Sequence, residues 1–262
     1  MAKKQSTALV NYDEEFARAA EEAAASEANT GGGQFFSTRG GQLKLNDSPL
    51  PNNEMAVVIV DSLLVNALYE GDYDPENLRS PVCYAFGRSD ETIAPHAEAD
   101  KKQSESCAEC EHNKFGSAEK GRGKACKNGR RLALISAGTI DKSGEFVAHE
   151  EQEHFDKAQV AYLNLPPTSI NGFGAYVKQI VGALKRPPHG VFTRISLVPD
   201  PKTQFKITFE SLGPVPDDLV PLVIKKNKET RAVIEFPFQR ASEREEAQPP
   251  PKRAAAAARR RF

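Results

Sequence analysis

The alternation of apolar and polar residues divides the chain into a patterned centre and two polar ends. Runs of apolar residues predict short strands at residues 55–60, 82–86, 131–137, 158–165 and 232–236. Residues 192–198 and 205–209 alternate in hydropathy on either side of the turn Pro199-Asp200-Pro201, which predicts a hairpin. The run at 55–60 has no polar member and is expected to be buried on both faces.

Helical periodicity is clearest in residues 170–184. The apolar side chains that share one face there are Ile170, Phe173, Tyr176, Val177, Ile180, Val181 and Leu184. A second helix is predicted at 217–227, with an early break at Pro221. Six or seven short strands with one long amphipathic helix predict an α+β fold, either a small curled sheet or an OB-like barrel.

The polar ends are expected to be appendages of the folded core. Residues 1–33 are predicted to be a flexible, partly helical extension, since 13–28 are rich in Ala and Glu and NTGGG follows. The core domain is predicted at 34–240, with a metal-bound loop subdomain at 83–130 that includes the polar segment 87–129. Residues 241–262 combine charge, proline and a terminal RRRF, which is typical of a disordered basic tail.

Composition narrows the class of protein. Hydrophobic residues make up 39% of the chain and charged residues 27%, with a net charge of −1. These values fit a globular protein with polar ends. No apolar run reaches the length of a membrane span, and the N-terminus has no apolar signal-like segment. We therefore expect a cytoplasmic protein in a reducing compartment, with no membrane partner.

Four cysteines fall within one polar stretch in the order C-x23-C-x2-C-x15-C: Cys83, Cys107, Cys110 and Cys126. A Cys-x2-Cys pair brings two thiolates to one metal from a tight turn, and the outer two cysteines complete a tetrahedron. Four thiolates leave no open position for water, so we predict one structural Zn²⁺ rather than a catalytic ion. Two alternatives remain at this point: four ordinary buried thiols, or replacement of Cys83 by His96 or His112.

The segment after the tight cysteine pair is strongly basic. Residues 113–131 carry Glu119 as their single acid, against seven basic side chains: Lys114, Lys120, Arg122, Lys124, Lys127, Arg130 and Arg131. Phe115 lies inside this run and four glycines interrupt it. Cations with an interleaved aromatic ring are typical of single-stranded nucleic-acid binders, in which cations contact phosphates and rings stack on bases. The alternative is a solvated basic loop beside the metal.

Enzymatic motifs are not supported by the sequence. The segment from Gly116 to Lys124 does not have the glycine and lysine spacing of a phosphate-binding P-loop. Ala125 also occupies the position at which Ser or Thr would bind magnesium. His149 and His154, in HEEQEHF, do not have the spacing of a zinc protease and predict a solvated acidic loop. Because no catalytic constellation is visible, we predict a protein that is not an enzyme and has no small-molecule substrate.

Three segments resemble a family of zinc-containing proteins encoded by tailed bacteriophages and described as single-stranded DNA-binding proteins. They are FFSTRGG at 35–41, SPVCYAF at 80–86, and CAECEHNKFGSAEKGRGKACKNGRRLAL at 107–134. The resemblance covers roughly residues 34–210 and implies an OB-like, cytoplasmic accessory of phage DNA replication or recombination. The T4-type helix-destabilising protein is a looser comparison, since it has a His ligand and an acidic tail.

We therefore predict sequence-independent binding of single-stranded DNA. The expected phosphate contacts are the seven basic residues above and, from a Gly-rich turn, Arg39; Phe115 or Tyr84 is expected to stack on bases. Recruitment of phage or host replication proteins by the C-terminal tail is expected from Phe262, but its arginines depart from the usual acidic tail. The competing hypothesis is a zinc-stapled scaffold that recruits a polymerase or recombinase.

Overall fold

The longest apolar run becomes part of the longest strand. A computed structural model describes residues 34–46, 48–71 and 79–238, so the predicted extension 1–33 and tail 241–262 lie outside the described residues. The strand that contains 55–60 is β4, Glu54–Leu68, in which those six side chains are buried. It is continuous because β-branched and apolar residues follow one another without a Gly or Pro.

Ten strands and three helices form the described part of the chain, which confirms the α+β class. The strands are β1 Gln34–Ser37, β2 Lys44–Leu45, β3 Ser48–Pro49, β4 Glu54–Leu68, β5 Cys83–Gly87, β6 Lys127–Ile140, β7 Phe146–Ala148, β8 Ala161–Leu165, β9 Val191–Asp200 and β10 Gln204–Pro214. The helices are α1 Gln152–Lys157, α2 Pro167–Leu184 and α3 Val220–Val233. No helix in these residues is long and apolar enough to cross a membrane.

The strands hydrogen-bond in the order β10-β9-β4-β6-β8-β1-β2-β3, with β5 on β4 and β7 on β6. Most ladders for which the register is known are antiparallel, while β1 and β8 run parallel, with Phe36 opposite Leu163. The chain divides into two compact units. One comprises residues up to Asp61, Leu132–Asn164 and Asn171–Thr230; the other comprises Ser62–Arg131, Leu165–Ile170 and the residues from Arg231 onward.

The first unit has its core between the sheet and α2. Phe173, Tyr176 and Ile180 are buried on one face of that helix, as their spacing predicts. Phe209 of β10 packs on two of them, at 5.2 Å from Phe173 and 5.8 Å from Tyr176 between ring centroids. The helix begins with Pro167, where a missing N–H costs nothing, and ends before Lys185, whose φ of 55° is left-handed.

Several sequence predictions hold and others are wrong. The hairpin is present as β9 and β10, and strands occur at 82–86, 131–137 and 158–165 with shifted bounds. The predicted strand at 232–236 is wrong, because Ala232 and Val233 close α3. That helix starts three residues later than predicted, which places Pro221 in its first turn, where no internal hydrogen bond is lost. Val181, predicted to be buried, is 46% exposed.

The acidic segment near His149 also differs from its prediction. Residues Gln152–Lys157 form α1, because Phe155 is fully buried and anchors the turn against Phe192. The rings of His149 and His154 lie 3.9 Å apart, and their Nε2 atoms lie near the Oγ and O atoms of Ser136. This segment therefore contains a short helix anchored by Phe155 rather than a loop, while Glu150, Glu151 and Glu153 are exposed as predicted.

The second unit consists largely of the connection between β4 and β6. Within it, β5 pairs with the end of β4, so that Cys83 lies opposite Leu68. The segment from 88 to 126 contains a single 3-10 turn, Glu111–Asn113, among the described elements. The small apolar clusters of this unit include three of the four cysteines: Leu68 with Cys83 and Cys126, and Ala85 with Ile93 and Cys107.

Candidate metal centre and nucleic-acid interface

The four cysteines line one cavity of about 20 Å³ in the second unit. Cys83 begins β5 and Cys126 immediately precedes β6, so strand pairing positions the outer two. The inner pair is positioned by backbone contacts. The N–H of Cys107 donates to the Ile93 carbonyl at 3.1 Å, and the Cys110 carbonyl accepts from the Asn113 N–H at 3.0 Å.

The cavity brings the predicted ligands together but is not a closed ligand shell. All four cysteines are free thiols, with Cys83, Cys107 and Cys126 buried and Cys110 half-buried. In the part of the chain that the structure describes, no group of three or more His, Cys, Asp or Glu side chains is already arranged around a metal position. A volume of this size accommodates about one water-sized sphere, so the space suits a single ion.

Burial controls the protonation of these thiols. It raises the pKa of Cys126 to about 12, with a further contribution from the neighbouring thiols. Burial also raises the pKa of Cys83, against a backbone hydrogen bond from Gln103, and that of Cys107, against a hydrogen bond from the Asn66 side chain. Without a metal these three thiols are therefore neutral at neutral pH, and a bound cation must displace their protons.

The two histidines considered as alternative ligands differ in position. His112 lines the cavity with the cysteines. His96 does not: its ring stacks on Tyr84 at 5.1 Å, and its Nδ1 accepts a hydrogen bond from the Glu98 N–H at 3.2 Å. Of the two histidines, therefore, only His112 lies beside the cysteines.

The basic loop, residues 114–125, is organised by the hydroxyl of Ser117. This Oγ lies 2.9 Å from the His112 carbonyl and 2.7 Å from the Lys114 carbonyl, and it accepts from the Ala125 N–H at 3.0 Å. The Gly116 N–H is shared by the carbonyls of Arg122 and Gly123 at 3.2 and 2.9 Å. Because Gly116 has a φ of +89°, a glycine is needed for this closure.

Phe115 projects from this loop with 83% of its surface exposed. The Nζ of Lys124 lies 5.2 Å from the centre of its ring, within the range of a cation–π contact. Lys120, Arg122 and Lys127 are also exposed, and Lys114 forms an exposed ion pair with Glu111. An exposed ring with cations around it is an arrangement that can contact both a base and its phosphates.

The remaining predicted contacts lie elsewhere. Arg131 is 1% exposed and Tyr84 is 4% exposed, so both are removed from the set of DNA contacts. Arg130 is half-buried, with Nη1 donating to the Ser62 Oγ at 3.1 Å. Arg39 is exposed, but it belongs to the first unit, in a 3-10 turn at Arg39–Gly41.

Asn113 is a structural residue that the sequence did not reveal. Its Nδ2 donates to the Cys107 carbonyl at 2.7 Å, and its Oδ1 accepts from Lys124 at 3.2 Å and from Asn128 at 3.0 Å. One side chain thus ties the tight cysteine turn to the basic loop and to β6. An asparagine within a polar loop belongs to no periodic or regularly spaced pattern, so the sequence gives no signal from which this role could be predicted.

Comparisons with protein-family models, with curated proteins and with solved structures found no match for this chain.

Proposed function

We propose that this protein binds single-stranded DNA without sequence preference, as an accessory of phage DNA replication or recombination. The observation that carries the proposal is Phe115, which is 83% exposed near the start of the basic loop. Leaving such a ring in water is unfavourable, by roughly 25 cal/mol per Å² of apolar surface. A base that stacks on it would recover this free energy, while the surrounding cations bind phosphates.

The proposal includes one structural Zn²⁺ held by Cys83, Cys107, Cys110 and Cys126. Support comes from their common cavity and from the composition of the surrounding segment, which has few apolar residues with which to fold. Bound zinc would supply a folding core there. These residues would then hold the base of the basic loop in place, since Cys126 donates its N–H to the carbonyl of His112 at 2.8 Å.

An OB-like barrel is also part of the proposal. If β4, β6, β8, β9 and β10 are taken as strands one to five, they lie in the order 5-4-1-2-3, and α2 falls between the third and fourth. This is the order expected of an OB Greek key, in which the connection between the first two strands contributes to oligonucleotide binding. Here that connection carries the cysteines and the basic loop.

The electrostatics of the loop agree with a phosphate ligand. Residues 113–130 contain six basic side chains and one acidic side chain, Glu119. In this proposal the phosphate contacts are Lys114, Lys120, Arg122, Lys124, Lys127 and Arg130. No catalytic step is assigned to the site, and the protein would act in the host cytoplasm. Recruitment of replication proteins would involve the tail at 241–262.

The proposal is tested by fluorescence titration of the full chain with oligo-dT at several salt concentrations. The loop variant K120A/R122A/K124A/K127A should bind more weakly, and each lost phosphate contact should lower the salt slope by about 0.7. The matched control K142A/K178A/K228A/R231A removes the same charge from exposed positions outside the loop. This control should keep most of the parent's affinity and slope.

The substitution Phe115→Ala distinguishes the contribution of base stacking to DNA affinity from the contribution of charge. It should weaken binding by about 1–3 kcal/mol and leave the salt slope unchanged, because no cation is removed. Val147→Ala, at a side chain that is 57% exposed outside the loop, is the matched control. If the parent does not bind oligo-dT at low salt, the proposal is wrong. Binding of a protein partner through Phe115 with little salt dependence would favour the scaffold hypothesis instead.

A further inference from the structure

The first unit also carries a partly exposed aromatic ring. Phe205, near the start of β10, is 37% exposed. It packs on Gly41, which follows Arg39 in the 3-10 turn Arg39–Gly41. A Cβ at Gly41 would lie 2.2 Å from the ring's Cζ and 2.7 Å from both Cε atoms. These distances place that position over the Cζ end of the ring.

The glycine therefore allows the end of the Phe205 ring to approach the backbone closely. Gly41 has a φ of +71°, a conformation that side-chain-bearing residues rarely adopt. The turn is fixed by Asn53, whose Nδ2 donates to the Gly41 carbonyl at 3.1 Å and whose Oδ1 accepts from the Leu43 N–H at 2.9 Å. The Cζ end of the Phe205 ring thus lies against a turn that Asn53 holds in place, while 37% of the residue remains exposed.

The β9–β10 turn that leads to Phe205 is equally constrained. The Asp200 carboxylate accepts from the N–H groups of Lys202 and Thr203 at 3.1 and 3.0 Å and from the Thr203 hydroxyl at 2.9 Å. The same Thr203 Oγ1 also lies 3.1 Å from the Phe205 carbonyl oxygen. A ring held in this way loses little conformational entropy when a ligand stacks on it.

The charges of the two turns favour an anion. Residues 35–46 contribute Arg39 and Lys44 with no acidic residue, and residues 200–206 contribute Lys202 and Lys206 against Asp200. The Asp200 carboxylate already accepts several hydrogen bonds and lies 3.4 Å from the Nζ of Lys206. Arg39, Lys202 and Lys206 are exposed. The two segments therefore carry four basic residues against one carboxylate that is already hydrogen-bonded.

We propose that Phe205 on Gly41, with Arg39 in the same turn, is a second contact for single-stranded DNA, separate from the basic loop. A base stacks on the exposed part of the Phe205 ring, and the Arg39 guanidinium binds a neighbouring phosphate. This inference rests on the proposed function, and it extends that function from one compact unit to the other. It also gives the FFSTRGG segment a direct role in binding.

The test compares Phe205→Ala with Phe205→Tyr in the full chain, with a long oligo-dT as the probe. Loss of the ring should weaken binding about 5- to 150-fold, as 1–3 kcal/mol of stacking implies, with the salt slope unchanged. The tyrosine variant should bind like the parent. Arg39→Ala should lower the slope by about 0.7, and Gly41→Ala should act like Phe205→Ala because the added Cβ displaces the ring.

Photo-crosslinking of the unmodified protein to oligo-dT gives a result that does not depend on a variant's folding. The peptide that contains Phe205 should be crosslinked in addition to the peptide that contains Phe115. If the parent binds oligo-dT and the loop variant loses affinity, but Phe205→Ala binds like the parent and its peptide is not crosslinked, the second contact is wrong. If the parent binds no oligo-dT, the proposed function fails with it.

Discussion

The guanidinium carbon of Arg131 lies 3.8 Å from the centre of the Phe236 ring. Its Nη1 also donates to the carbonyl oxygens of Ile234 and Phe236 at 2.8 and 3.0 Å, and the Phe86 ring lies 4.5 Å away. Arg131 therefore fastens the segment that follows α3 to the second unit. Arg131, which the sequence predicts to be a DNA contact, therefore has a structural role.

Arg131→Ala should lower the free energy of unfolding by about 3 kcal/mol or more, because two carbonyls lose their donor at about 1–3 kcal/mol each and a desolvated cation–π contact is lost. Urea denaturation measures this change. Arg122→Ala, at an exposed position in the basic loop, should change stability by less than about 0.5 kcal/mol. Equal effects of the two substitutions would contradict the structural assignment of Arg131.

Metal analysis of protein purified without chelator should find one zinc per chain. Cys107→Ser and Cys110→Ser should each release it and increase hydrogen exchange across residues 87–126, because this segment has few apolar contacts of its own. Ser106→Ala, in the same turn, should retain the metal. A zinc-free protein with a native exchange pattern, or a disulfide formed in reducing buffer, would refute the zinc assignment.

Ser117→Ala should loosen the basic loop without releasing the metal. The substitution removes an acceptor for the Ala125 N–H and a donor to the carbonyls of His112 and Lys114, at a cost of about 1–3 kcal/mol. Faster hydrogen exchange at 114–125 and weaker oligo-dT binding are expected together. If the exchange rate rises while binding is unchanged, loop order does not contribute to DNA affinity.

Two glycines should respond to alanine in opposite directions. At Gly138, with a φ of +156°, a Cβ would lie 2.1 Å from the Val147 carbonyl and 2.8 Å from the Ala148 Cα. Gly138→Ala should therefore destabilise the β6–β7 pairing by about 3 kcal/mol. At Gly182, exposed in α2 with open space around it, alanine should stabilise by about 0.5–1 kcal/mol. Thermal unfolding of both variants measures the difference, and destabilisation by Gly182→Ala would contradict the position of α2.

Local patterns were sufficient for the elements that bury a face by themselves. The β9–β10 hairpin and α2 follow from periodicity, since hydropathy with a period of two or 3.6 residues encodes which side of an element is buried. The core of β4 follows instead from a continuous apolar run. The spacing of the four cysteines likewise predicts that they share one site. The OB-like barrel and the zinc itself are proposals that the sequence and the strand order support.

Long-range contacts decided the rest. Arg130 and Arg131 are chemically identical neighbours, yet their surroundings differ. Arg130 is half-buried beside Ser62. Arg131 is enclosed by Phe86 and by Phe236, which lies 105 positions further along the chain. The apolar run at 232–236 belongs to no strand, because its aromatic residue packs on that guanidinium instead. Phe205 became a candidate contact only when folding placed Gly41 beneath it. In each case the deciding partner is distant in sequence, and local hydropathy carries no information about which distant residue will be adjacent.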